Sequence, residues 1–482
     1  MLFSSPIFLF LFLPITLLGY YLAPKRVQNY WLLLASLIFF AWGGVSYTFI
    51  LIGSIIVNYF FGLAIEKNLN TKKAYWCAYF GVTINILILG IFKYANFFTK
   101  NLNELFETFK LPEIPETNIL LPIGISFYTF HSLSYLIDIY KRQTTAQRNI
   151  FDLSLYVCMF SQLVAGPIIR YKDVWMQLKT REHSLDKFSS GIERFIIGLG
   201  KKVLVANTFA RVADTVFALN PAELNALNAW LGTVCYTLQI YYDFAGYSDM
   251  AIGLGRMFGF EFMENFNFPY IARSVKDFWR RWHISLSTFF RDYVYIPLGG
   301  NKVNTHRTYI NLFLVFFLTG FWHGASWSFI VWGLFHGLFM IIERIGLEKI
   351  LDKLPKPVAI FYTLLVVMFA WVLFRADTLS YAVKYWKSMF HFEQTAEQTS
   401  LFLSLVNIEL IATFVIAILG AFGFFNFISQ FIKKVLQSTK PVIWLFTYSY
   451  HTVCILVYAG IFALCTMYLI AGTYNPFIYY KF

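Results

Sequence analysis

LFSSPIFLFLFLPITLLGYYL, residues 2–22, followed by Ala23-Pro24-Lys25-Arg26, is the stretch whose reading decides the fold. It has no charged residue over about 20 positions, the length that carries a helix across the hydrocarbon core of a bilayer. No basic residue precedes it and no small-residue cleavage site follows it, so it reads as a retained helix rather than a signal peptide. Similar apolar blocks recur. Spans are expected near 5–23, 28–44, 46–65, 74–98, 119–140, 150–169, 190–218, 228–260, 308–342 (as two segments), 357–374, 403–429 and 441–472. Composition points the same way. Of 482 residues, 58% are hydrophobic and 13% charged, with a mean hydropathy of +0.59, whereas a soluble domain carries roughly 25% charged residues. So little polar surface cannot cover a globule of this size. The chain reads as an all-α polytopic membrane protein, a single domain over residues 1–482, with no internal repeat, low-complexity tract or soluble domain.

The net charge of +13 follows from a basic cytoplasmic face and calls for no nucleic-acid partner; the surrounding partner is membrane lipid. Lys25-Arg26, Lys67 with Lys72-Lys73, and Lys141-Arg142 with Arg148 mark alternate loops as cytoplasmic. The loop between the fourth and fifth spans, with Glu104, Glu107, Glu113 and Glu116 against Lys100 and Lys110, reads as external. Lys433, Lys434 and Lys440 before the last span put the tail, residues 474–482, outside. Both ends outside require an even number of crossings, about twelve, with some segments re-entrant. Between Tyr270 and Arg307 aromatic and basic residues alternate, too polar for lipid and too apolar for a solvated loop. That pattern fits a re-entrant or interfacial segment on the cytoplasmic side.

Ionisable residues inside a membrane are costly, and each is a candidate for function. His323 stands in Leu318-Thr319-Gly320-Phe321-Trp322-His323-Gly324-Ala325-Ser326-Trp327, between two apolar segments. The flanking glycines permit close backbone approach and a helix break. A neutral imidazole there can take a proton from a hydroxyl nucleophile; the plainer alternative is a histidine bonded to a carbonyl at the break. His283, in Phe278-Trp279-Arg280-Arg281-Trp282-His283-Ile284-Ser285, is either an interfacial histidine or a group that orients His323 or steadies charge on a thioester oxygen. His336 lies thirteen residues after His323, about 220° around one helix, so the two would not share a face and a structural role is expected. No histidine, acid or cysteine spacing suggests a metal, and Cys77, Cys158, Cys235, Cys454 and Cys465 read as buried spectators. Arg273, Lys276, Arg280, Arg281 and Arg291 are candidates for binding the phosphates of a donor such as coenzyme A, or the acidic surface of an acyl carrier; positive-inside anchoring accounts for part of them. Asp243 and Asp249 either line a tunnel or pair with these arginines, structural pairing being the expectation, and Gly253-Leu254-Gly255-Arg256-Met257-Phe258-Gly259 reads as helix packing rather than a phosphate loop. The tail Asn475-Pro476-Phe477-Ile478-Tyr479-Tyr480-Lys481-Phe482 offers phenols that either anchor an interface or accept an acyl group.

Five segments carry a family resemblance: Leu121 to Phe130, Val164-Ala165-Gly166-Pro167-Ile168, Tyr242-Asp243-Phe244-Ala245-Gly246-Tyr247-Ser248-Asp249, Phe278 to Gly300, and Phe321-Trp322-His323-Gly324. They resemble the bacterial branch of the membrane-bound O-acyltransferases (MBOAT), which includes alginate and peptidoglycan O-acetyltransferases and teichoic-acid D-alanyl exporters. The resemblance implies a helical shell around a thinned centre, with donor entering from the cytoplasm and acceptor from an external funnel. It makes His323 the active-site histidine and His283 its polar partner. The tail is similar to that of a short accessory subunit, which makes Tyr479 the candidate acyl acceptor and Tyr480 the next. The expectation that follows is an acetyltransferase of the cytoplasmic membrane. It has no bound cofactor and takes acetyl-CoA or an acyl carrier thioester as donor. It works with an external glycan O-acetyltransferase partner on a cell-envelope polysaccharide, peptidoglycan ahead of alginate. D-alanyl transfer is weakened because this chain already has its own tail. A transporter without covalent chemistry predicts inverted repeats, and none is found.

Overall fold

In a bilayer only a helix satisfies a single apolar run's backbone, and the computed structural model is helical, with no strand among the described residues. The structure describes residues 1–163, 166–438 and 443–476, the side chains of 433, 435–438 and 443–448 excepted. Among these residues, five helices are long and apolar enough to cross a membrane: Val45–Lys67, Lys72–Thr108, Trp327–Leu351, Lys356–Arg375 and Ser449–Ile470. A sixth span is broken, Ala396–Leu405 and Ile408–Ala421 meeting at 66°, and Phe8–Leu22, Gln28–Ala41 and Ile150–Leu163 are shorter apolar helices. Nine of the apolar blocks read from sequence thus hold an apolar helix among the described residues, and several of these are bent or short rather than the straight crossings their length suggests. Outward-facing Phe49, Phe60, Leu87, Ile91, Ile455 and Leu456 are each more than half exposed. Exposure of so much continuous apolar surface is stable only against lipid.

Two helices form the centre. Leu185–Gly200 runs on through residues 201–206 into Asn207–Phe217, and packs most extensively against Ala226–Met257. Glycines let the backbones meet: a Cβ on Gly198 would lie 2.5 Å from the Gly246 oxygen, and one on Gly253 2.6 Å from the Gly191 oxygen. Gly253 therefore serves helix packing, as its sequence context suggests. The same interface holds the intramembrane carboxylates. Asp243 pairs with Lys202 at 2.6 Å, both almost wholly buried, and Asp249 pairs with Lys201 and Arg194, each at 2.6 Å. Structural pairing is as expected, but the partners are these three residues rather than Arg273, Arg280 or Arg281. The glycine contacts bring the first helix close enough for its own cations to reach.

The aromatic-basic segment folds as two short helices, Val275–Arg281 and Ile284–Phe290. Ser274 accepts from the Asp277 amide at 3.0 Å to start the first, and Glu343 takes its Val275 and Lys276 amides at 2.7 and 3.1 Å. Just beyond them Arg170 meets Asp292 at 2.5 Å, and the Tyr293 hydroxyl donates to Asp138 at 2.7 Å. After Asn304 caps the next helix, Thr305–His323 and Trp327–Ile342 form an antiparallel hairpin. Gly320 and Gly333 face each other across it, where a Cβ on either would fall 2.3 Å from a carbonyl oxygen of the opposite helix.

Candidate active site

His323 is the last residue of its helix, 6% exposed, at the turn of that hairpin. The helix ends because Gly324 turns extended (φ −165°, ψ 154°) and packs against the Phe329 ring so closely that a Cβ would sit 2.2 Å from it. The imidazole is framed by rings: Trp322 at 4.8 Å, Trp332 at 5.0 Å and Phe374 at 5.3 Å between centroids. His283 also neighbours Trp322, ring centroids 6.3 Å apart. Two of the resemblance's residues, distant in sequence, are thus brought to one tryptophan.

His283 joins the two short helices with a left-handed backbone (φ 43°, ψ 55°). Asn265 holds it there. The Asn265 side-chain oxygen takes the Ser285 amide at 3.2 Å and the Ser285 hydroxyl at 2.8 Å, and lies 3.1 Å from His283 Nδ1. The Asn265 Nδ2 donates to the Ser248 hydroxyl at 2.9 Å, and the Asn265 backbone carbonyl receives the Ile284 amide at 2.9 Å. With the amide oxygen fixed by the Ser285 N–H, His283 Nδ1 must be the donor, which leaves Nε2 as the nitrogen able to accept a proton.

Two cavities approach His323 from opposite ends of the hairpin. One, of about 270 Å³, is lined by Lys276, Trp279, Arg280, Arg291, Phe316, Thr319, Met340, Glu343 and Arg344. The other, of about 530 Å³, is lined by Lys93, Asp214, Gln239, Gly324, Ser326, Phe374, Arg375, Tyr474 and Pro476. The first reaches the helix as far as Thr319, one turn before His323; the second starts at Gly324, the residue after it. His323 lies between these two positions in the chain and lines neither cavity. The basic cavity lies at the end that the charge pattern makes cytoplasmic, and the larger one at the end where the tail emerges.

Of the five candidate donor-binding cations, Lys276, Arg280 and Arg291 line the basic cavity. Arg273 and Arg281 do not line it. Arg281 instead pairs with Asp277 at 2.9 Å on its own helix and donates to the Asn267 carbonyl; helix geometry places positions 277 and 281 on one face, away from the cavity. His336 is fully buried one turn from Trp332 on the second helix of the hairpin, its ring 5.1 Å from both Trp279 and Trp332. The break at Gly324 reverses the chain, so rotation around a single helix did not apply to the pair. Tyr479 and Tyr480 lie outside the described residues, as do Val164 and Ala165 of the second resemblance segment. Just before the two tyrosines the chain is anchored: Tyr474 donates to Asp214 at 2.6 Å, the Asn475 oxygen takes Asn207 Nδ2 at 3.1 Å, and the Pro476 carbonyl accepts from Lys202. Sequence reasoning passed over Lys93, Tyr94, Asn265, Glu343 and Arg344. A lysine in the middle of the span near 74–98 is a signal of the same kind as His323; Asn265 leaves none.

The family description "MBOAT, membrane-bound O-acyltransferase family" matches residues 80–380, which hold both histidines and both cavities apart from the tail. The chain is 46% identical over 443 residues to the probable alginate O-acetylase AlgI of Pseudomonas aeruginosa, covering 92% of this chain and 84% of that one. It is 44% identical to the probable alginate O-acetylase AlgI of Pseudomonas putida over the whole of both chains. The peptidoglycan O-acetyltransferase of Helicobacter pylori is 38% identical over 81% of this chain and 80% of its own. With a helical membrane fold, a histidine at a broken hairpin and relatives of this similarity, the chain belongs to the membrane-bound O-acyltransferase family and is an O-acyltransferase.

Proposed function

We propose that this protein moves an acetyl group from a cytoplasmic thioester, acetyl-CoA or an acyl carrier, to the external side of the cytoplasmic membrane for O-acetylation of an exopolysaccharide of the alginate type. The observation that carries the reading is the place of His323 between the residues that line a basic cavity and those that line an opposed cavity beside the tail. Donor phosphates or an acidic carrier suit Lys276, Arg280 and Arg291, and the reactive thioester would reach forward past Phe316 and Thr319. His323 removes a proton from the attacking hydroxyl; the hydroxyl oxygen bonds to the thioester carbonyl carbon, the carbon–sulfur bond breaks, and the departing thiolate takes up a proton. His283, held by Asn265, supports the developing charge from beside Trp322. Tyr479 is the candidate hydroxyl, with Tyr480 next, and the ties at Tyr474, Asn475 and Pro476 support delivery of the tail to that cavity. From the phenol an external O-acetyltransferase partner would pass the group to the glycan.

The choice of glycan departs from the expectation of peptidoglycan. Identity to relatives named for alginate reaches 48%, against 38% for the one named for peptidoglycan. Peptidoglycan stays as the second reading on the strength of that 38% relative, which covers 81% of the chain.

The test is mild-base release of ester-linked acetate from cells carrying the wild type or His323→Ala, with membrane abundance matched. Acetate should fall to background in the variant, and the fraction that loses it identifies the acceptor. Unchanged acetate in exopolysaccharide, peptidoglycan and teichoic-acid fractions alike would rule out acetyl transfer through His323.

A further inference from the structure

Four backbone carbonyls stand where the ladder of the His323 helix runs out, those of Gly320, Phe321, Trp322 and His323. At bilayer depth water is not there to take them, so each needs a named donor. The Gly320 oxygen receives the Gly324 amide at 3.4 Å. The other three are all taken by two neighbouring residues of one other helix, Lys72–Thr108. Tyr94 donates its hydroxyl to the Phe321 oxygen at 2.6 Å and stacks its ring on Phe321, centroids 4.0 Å apart and 7° from parallel. Lys93 donates to the Trp322 oxygen and, at 3.2 Å, to the His323 oxygen. Its third hydrogen points to the Ser126 hydroxyl at 3.4 Å, and its Nζ lies 5.5 Å from the Trp322 ring centre.

We propose that Lys93 and Tyr94 form a clamp that positions His323, fixing the last turn of its helix so that the imidazole stays between the residues that line the two cavities. The clamp rests on the reading of His323 as the general base. A lysine buried to 9% exposure is an expensive way to fill space, and its donors are spent on the carbonyls that end the His323 helix. A cation at a helix C-terminus gains from the dipole of that helix, and here the cation meets the helix at the catalytic residue itself. Lys93 also lines the larger cavity, yet its three hydrogens are committed to Trp322, His323 and Ser126. It is therefore a poor acyl acceptor, and its influence on chemistry runs through the backbone of His323. Tyr94 secures the preceding residue by a bond and a stack. Together they leave the turn no freedom to unwind when Gly324 departs from the helix.

The experiment uses the full chain in inverted membrane vesicles that keep the external partner and its glycan acceptor inside, supplied with acetyl-CoA, measuring kcat and KM for thioester loss together with abundance and Tm. Lys93→Met should lower kcat about 100-fold, the scale of a catalytic group displaced by roughly 1 Å, with KM within about twofold and a lowered Tm from the two carbonyls it leaves unpaired. Tyr94→Phe, which keeps the stack, should cost about tenfold. Lys93→Arg, which keeps charge and donors, should recover most of the loss. In a His323→Ala background, Lys93→Met should add nothing to the residual rate, because the group it positions is gone. The clamp is overturned if, at matched protein abundance, Lys93→Met keeps kcat within threefold, if Lys93→Arg recovers Tm but not kcat, or if Lys93→Met lowers the residual rate of His323→Ala further. A fully active His323→Ala would instead overturn the general-base reading on which the clamp rests.

Discussion

His283 is a β-carbon-bearing residue in the left-handed region, a conformation that costs on the order of 1–3 kcal/mol and persists only where the surroundings over-determine it. Asn265 is what over-determines it: one side chain holds the His283 ring, the Ser285 amide and the Ser285 hydroxyl, and is itself fixed by Ser248. Asn265→Ala should therefore release both the strained backbone and the Nδ1 proton position. We expect kcat to fall tenfold or more, within the 10²–10⁴-fold that general acid–base groups contribute, while Asn265→Asp, which keeps the acceptor, should lie closer to wild type. Single-turnover rates at matched protein levels check this; a fully active Asn265→Ala would remove His283 from the mechanism. At this scale the sequence shows ionisable residues far better than it shows what holds them. His323 stands out between glycines in an apolar run and His283 among tryptophans. Lys93 gives a comparable signal, but its meaning depends on the carbonyls of residues 229 and 230 positions away. Asn265 sits in a loop of ordinary composition, and nothing local to it predicts a contact with position 283.

The helices show why hydropathy finds the blocks and misses their breaks. A window of apolar residues is the same whether the helix inside it is straight, bent by 66° as around residues 405–408, or ended by a glycine as at 324. About twelve crossings are read from the charge pattern, whereas five helices among the described residues have the length and apolarity of a straight span. Packing between these elements is better marked, since close backbone approach requires glycine. Gly246 is the sharpest instance: a Cβ there would fall 2.7 Å from the Gly198 oxygen and 3.0 Å from the Lys202 amide. Gly246→Ala should thus force apart the two central helices and strain the Lys202 backbone, costing about 1–3 kcal/mol as overpacking does. Gly53, also within a helix, has nothing within 4 Å of its would-be Cβ. Gly53→Ala should be neutral or mildly stabilising, since alanine is the better helix former by up to about 1 kcal/mol. Thermal unfolding in detergent of the two variants side by side makes the comparison; equal Tm values would show that the glycine contact is not close in the folded protein.

On the scale of the whole molecule, the two ends of the described chain meet at the central helices. Asn475 donates to the Ser4 carbonyl at 3.2 Å and accepts from Asn207, while Lys202 bonds the Pro476 carbonyl and the Asn207 side chain and pairs with Asp243. One buried lysine thus serves two purposes, neutralising a carboxylate in the core and holding the approach to the tail. The two can be separated. Lys202→Met alone takes the cation from a buried aspartate, a change worth about 3–5 kcal/mol where one partner of a buried pair is removed, and the protein should lose abundance for that reason. Lys202→Met with Asp243→Leu removes both charges, and replacing a buried pair by apolar residues is commonly neutral or stabilising. The double variant should then regain most of the Tm while its Pro476 carbonyl stays untethered. If docking of the tail serves transfer, ester-linked acetate in the envelope should remain low in the double variant despite recovered folding. Recovery of acetate together with Tm would show that Lys202 matters only to the core, and that the tail reaches its place without it.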